Sequence, residues 1–152
     1  MRVLAVVLAM LTVGCQRDAS TPDAALLGTF VDDYGDLHTV TTELWHHQPS
    51  LRYQVLRWEA DAQYLIAQND ASNASARGRF TRIDWMPLDM PPYTWAFCLS
   101  AYDAPTPEAA EAVQIADRSQ PRSGCNGFPF TRLQPAPDAA AASGGAYGSL
   151  TR

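Results

Sequence analysis

Tyr93-Thr94-Trp95-Ala96-Phe97-Cys98-Leu99-Ser100-Ala101-Tyr102 is the stretch that decides the fold. Its apolar side chains recur at every second position, which is the period of a strand and not of a helix. Tyr93, Trp95, Phe97, Leu99 and Ala101 therefore share one face. Cys98 points to the opposite face, beside Ala96 and Ser100.

The pattern continues outward on both sides. Arg79 to Met86 predicts a strand that stops at Pro87, because proline cannot donate to a ladder. Asn69 to Gly78 is a polar loop. Leu51–Trp58 and Gln63–Gln68 flank Glu59-Ala60-Asp61-Ala62 and predict a hairpin. Leu27–Val31 and Leu37–Thr42 flank Asp33-Tyr34-Gly35-Asp36 and predict another. On the C-terminal side, residues 106–118 predict the one helix. Thr106 caps it, Pro107 suits its first position, and Ala109, Ala112, Val113 and Ala116 share a small face. Gly124 to Gly127 is a turn, and Phe128–Leu133 a last short strand. Consecutive strands with tight connections predict a mainly β fold. It is an antiparallel meander, as a curled sheet or small barrel, with one helix before the last strand. Leu27-Gly28-Thr29-Phe30 is similar to the opening strand of lipocalin-like barrels, with Phe30 where Trp is usual. Four residues do not assign the family.

The chain has 152 residues, enough for one ordinary domain. Its formal net charge is −5, and every basic residue is Arg. Without a basic surplus, nucleic acid is excluded as a partner. No run of 18 or more apolar residues exists, so none of the chain reads as a spanning helix.

The N-terminus has a different character. Met1-Arg2 precedes an apolar run, Val3 to Val13, that ends in Leu11-Thr12-Val13-Gly14-Cys15. This resembles a bacterial lipoprotein signal, in which the Cys is lipidated and becomes the new N-terminus. Thr12 departs from the Leu usual there. The resemblance implies lipidation at Cys15 and a membrane partner through that anchor. Gln16, where Asp often marks inner-membrane retention, implies the outer membrane; ordinary secretion is the alternative. Residues 1–14 then form the signal, 15–25 a tether, 26–134 a single β-rich domain and 135–152 a disordered tail. Processing removes Arg2 and moves the formal charge to −6. With Cys15 lipidated, Cys98 and Cys125 remain as a pair in an oxidising compartment, and parity predicts a disulfide between them. Such a loop closure is worth about 3 kcal/mol in the entropic account.

Few residues point to chemistry. No nucleophile–base pair or phosphate loop is present, so no catalytic residue and no cofactor are assigned. His46-His47 reads as a solvated loop pair before Pro49. Neighbours on a strand face opposite ways, and so cannot readily share one ion. His38 with Asp32, Asp33 and Asp36 would add nitrogen and oxygen donors if the first hairpin folded over that loop. The acids lack the spacing of a calcium loop and suit a turn, so no metal site is assigned. Arg79, Arg82 and Asp84 read as solvated strand-face charges. The aromatic residues are the richest feature. They predict a core, and Trp58, Trp95 and Phe97 are the candidates for the wall of a small apolar or carbohydrate pocket. The expected function is a membrane-anchored cell-envelope lipoprotein, a non-enzymatic binding or structural module whose ligand or protein partner is open. A small-ligand carrier is the alternative.

Overall fold

A computed structural model describes residues 20–137. The signal, Cys15, the first part of the tether and the tail from residue 138 lie outside the described residues. Eight antiparallel strands follow one another around a closed barrel: β1 (Gly28–Asp32), β2 (Leu37–Val40), β3 (Leu44–His47), β4 (Leu51–Glu59), β5 (Tyr64–Asn69), β6 (Phe80–Met90), β7 (Tyr93–Ala104) and β8 (Thr131–Pro135). Closure comes from β8 pairing with β1, with Val31 opposite Gln134. A closed sheet leaves no edge to aggregate. The mainly β meander with a helix before its last strand is thus the fold, and it is a barrel.

The interior is apolar and aromatic. Phe30, Val40, Trp45, Tyr53, Trp58, Leu65, Ile83, Trp85, Trp95 and Leu133 form one buried cluster. Burying each such side chain contributes about 1.5–3 kcal/mol. Trp95, Phe97 and Leu99 join this cluster, as their alternation predicts. The row breaks at its ends. Ile83 pairs with Leu99 while Arg82 pairs with Ala101, so Ser100 is an extra residue that bulges β7. Ala101 is thereby turned outward and packs with Tyr64, Ile66, Ala104 and Ala110. Tyr93 lies under the Arg132 guanidinium, 4.6 Å from its ring centroid.

The helix is shorter than the pattern predicts. α1 spans only Pro107–Glu111, with the Thr106 hydroxyl accepting from the Ala109 N–H. Beyond Ala112 the chain extends to bridge Ala116 with Cys125. There the Asp117 N–H donates to the Gly124 carbonyl in place of a helical bond. The Cys98–Cys125 disulfide is formed, with Cα atoms 5.4 Å apart. It holds the crossover on the outside of the barrel, the side of Cys98 that period two predicts. Gly124 is needed there, because a Cβ would collide with the Asp117 carbonyl.

Several boundaries differ from expectation, among them the start of the last strand, at Thr131 and not Phe128. β6 runs through Pro87 to Met90; the ladder tolerates the proline where the register shifts. Residues 20–25, expected as tether, lie against the barrel: Ser20 Oγ donates to the Trp58 carbonyl, and Asp23 caps the 3-10 helix Ala24–Leu26. At the other terminus β8 reaches Pro135, and the Ala136 N–H donates to the Thr29 carbonyl.

Candidate functional site

Alternating strand direction sorts the connections between two ends. The turns after β2, β4 and β6 lie at one end, with the start of β1 and the end of β8. Both ends of the described chain leave there, and Leu26 is buried beneath it. The turns after β1 and β3 and the loop after β5 lie at the opposite end. That end holds a depression of about 290 Å³, whose wall includes Asp32, His38, Trp45, His47, Tyr53, Phe97 and Leu99. A smaller one beside it, about 130 Å³, shares Leu51, Tyr53 and Leu99.

β3 is the element that builds this mouth, and the loop expected at His46-His47 is in fact this strand. Its register with β2 sets His47 directly opposite His38, and Trp45 opposite Val40. Alternation sends the two histidines to opposite faces, as expected of strand neighbours. His47 turns inward and stacks on His38 with ring centroids 4.2 Å apart. His46 turns away, its Nε2 3.5 Å from the Pro49 carbonyl oxygen.

A hydrogen-bond chain crosses the first three strands. The Trp45 indole N–H donates to His38 Nδ1 at 3.0 Å, and His38 Nε2 lies 3.0 Å from Asp32 Oδ2. Indole only donates, so Nδ1 must accept and the proton of His38 sits on Nε2, facing the carboxylate. Asp32 Oδ1 accepts from the Tyr34 and Asp36 N–H groups, which also closes the β1–β2 turn. Burial alone would raise the Asp32 carboxyl. The His38 contact and these two backbone N–H groups outweigh it and hold the carboxyl below its ordinary value. Burial pushes the His38 imidazole down, against the opposing pull of Asp32. The site is therefore a neutral imidazole on an ionised carboxylate. At the rim, His47 Nε2 lies 3.1 Å from Asp36 Oδ2, and this pair is partly exposed.

The three residues expected to wall one pocket are separated. Trp58 is buried edge-on against Trp85, and its N–H donates to the Thr42 carbonyl. Trp95 packs edge-on against Phe30 and Trp45. Its own indole N–H is buried without a partner. Trp95 faces a depression of about 220 Å³ at the chain-terminal end, beside Leu26 and Trp85. Phe97 lines the mouth at the far end, and Trp58 lines none of these hollows. Their main role is to fill the barrel.

No family model, curated protein or solved structure matches this chain. The functional reading therefore rests on the geometry of the barrel itself.

A fourth hollow, about 490 Å³, lies outside the barrel between Leu88, Met90, Phe130 and Arg132. The strand-face charges beside the crossover are not solvated. Asp84 is fully buried and Arg82 nearly so. Arg82 grips Asp84 through two bonds of 2.8 and 2.9 Å. Ser100 Oγ and Arg118 complete the shell of the carboxylate. Arg118 also donates to the Trp85 and Gln63 carbonyls, so the Asp84–Arg118 pair ties the crossover to β6, β7 and the turn between β4 and β5. An alternating charge pattern on a strand does not say which face the crossover will cover; that is why the sequence misplaces these residues. Arg79 stays at the surface, with its Nε donating to the Asp103 carbonyl.

Proposed function

We propose that this chain is a lipid-anchored cell-envelope protein whose barrel is a non-enzymatic binding module. Its binding end is the mouth lined by His38, His47, Tyr53 and Phe97. The observation that carries the reading is directional. Both ends of the described chain leave the barrel at one end, and the partly open mouth, an apolar wall carrying Asp32, Asp36, His38 and His47, lies at the other. An anchor at Cys15 would then hold the barrel with its mouth turned away from the bilayer. The interior aromatics fill the middle of the barrel, so a ligand sits in the mouth and does not pass through. The outer membrane is the proposed location. Two acyl chains or more anchor stably, because each buried CH₂ contributes about 0.8 kcal/mol.

The experiment has two arms. Membrane fractionation of the wild type and Cys15→Ala is expected to move the protein from pellet to soluble fraction; equal partition removes the anchor. Saturable binding of the apolar dye anilinonaphthalene sulfonate is expected for the wild type and is lost in Leu99→Trp, which fills the mouth. Dye binding unaffected by that change places the binding elsewhere.

A further inference from the structure

We propose that the mouth holds a divalent transition cation of the zinc class on Asp32, His38 and His47. The inference rests on the mouth being the binding end. Each of the three side chains offers one donor atom, and these atoms lie within 4.8 Å of one another. They come from three adjacent strands, β1, β2 and β3, so the sheet sets their backbone spacing, and the stacked His38 and His47 rings need only tilt apart to aim both nitrogens at one ion. Two imidazoles and one carboxylate suit Zn²⁺, Ni²⁺ or Cu²⁺; Ca²⁺ and Mg²⁺ prefer oxygen donors alone. Three protein donors leave a fourth position open toward the hollow, as in zinc sites that take up a water or a ligand. Asp36, 3.1 Å from His47 Nε2, adds a second carboxylate at the rim.

The surrounding hydrogen bonds make the proposal specific. A neutral imidazole that ligates through Nε2 carries its proton on Nδ1. In His38 that proton now lies on Nε2, against Asp32. Binding shifts it to Nδ1, where it meets the Trp45 N–H, and no proton is lost from the ring. The Trp45–His38 hydrogen bond breaks, which opposes the cation. Trp45 is thus both a brake on affinity and a reporter beside the site. Replacing it with phenylalanine removes the opposing donor and should tighten binding about tenfold, the factor that corresponds to one hydrogen bond of ordinary net strength.

The test is calorimetric titration of Zn²⁺ into the untagged full chain after chelator treatment. Tryptophan emission and dye binding are followed on the same samples. One saturable site is expected, with a change in emission. His47→Ala should weaken it at least a hundredfold, and His46→Ala should leave it unchanged. Trp45→Phe should tighten it, once melting shows that the variant folds. Absence of binding to the wild type, loss of binding in His46→Ala, or indifference to His47→Ala each overturns the cation site. Dye binding retained without zinc binding overturns the cation alone and spares the mouth. Loss of both overturns both.

Discussion

The indole N–H of Trp45 donates to Nδ1 of His38, and so dictates which nitrogen of that buried ring carries its proton. One donor-only group on β3 thereby orients an imidazole on β2 toward a carboxylate on β1. The chain couples barrel packing to the turn at the mouth, because Asp32 also accepts the N–H groups of Tyr34 and Asp36.

His38→Leu tests that coupling. The change keeps most of the volume but leaves the Trp45 N–H without an acceptor and Asp32 without its side-chain donor. Each buried group left unsatisfied costs about 1–3 kcal/mol. Chelator-treated protein should lose at least about 2 kcal/mol in urea unfolding, measured against the wild type at the same pH.

Asp84→Ala addresses the crossover. It takes the paired carboxylate from the nearly buried Arg82 guanidinium, which keeps the Glu111 carbonyl and the Tyr64 ring, and it removes one partner of Arg118. Breaking a buried pair in this way costs about 3–5 kcal/mol. Arg118→Ala should cost less, since its side chain is partly exposed and Asp84 keeps Arg82 and Ser100. Equal losses from the two variants would refute this ranking.

Removing the disulfide should loosen the unfolded chain more than it disturbs the barrel. Cys98 and Cys125 are 27 residues apart. Cys98→Ala with Cys125→Ala is expected to lower stability by about 2–4 kcal/mol while circular dichroism retains its β signature. Loss of the folded signature would show that the crossover is needed for closure.

Asp70 gives a pH dependence. The Ser72 hydroxyl and N–H, then Gln54, donate to its carboxylate and hold it down at about 2. A depressed carboxyl contributes stability that is present above its unfolded value and is lost as pH falls through the folded one. The contribution should therefore be complete above roughly pH 4 and disappear toward pH 2. Asp70→Asn should flatten that part of the stability profile; an unchanged acid limb would exclude Asp70 as its source.

Much of the architecture was legible along the chain. Period two in 93–102 predicted the strand, the inward Trp95, Phe97 and Leu99, and the outward Cys98. The two hairpins followed from polar turns between apolar runs. β3 escaped because four residues containing His46-His47 before a proline resemble a loop, although three-residue turns join it to both β2 and β4. The helix was read too long because Ala spacing reports propensity alone. The tertiary bridge from Ala116 to Cys125 outweighs it.

The sequence by itself determined the β class, the alternation and the sides of the strands, since these depend on neighbours one or two residues away. Only the tertiary structure decided closure, register and cover. Closure joined β8 to β1 across about a hundred residues. Register set His47 on His38 and brought Asp32 alongside, from positions 6 and 9 residues away from His38. The crossover buried Asp84 and Arg82 on what a single strand presents as a wet face. Closure and cover are long-range pairings, and register is settled by the sheet as a whole, so a side chain's polarity does not reveal which backbone will come to lie against it.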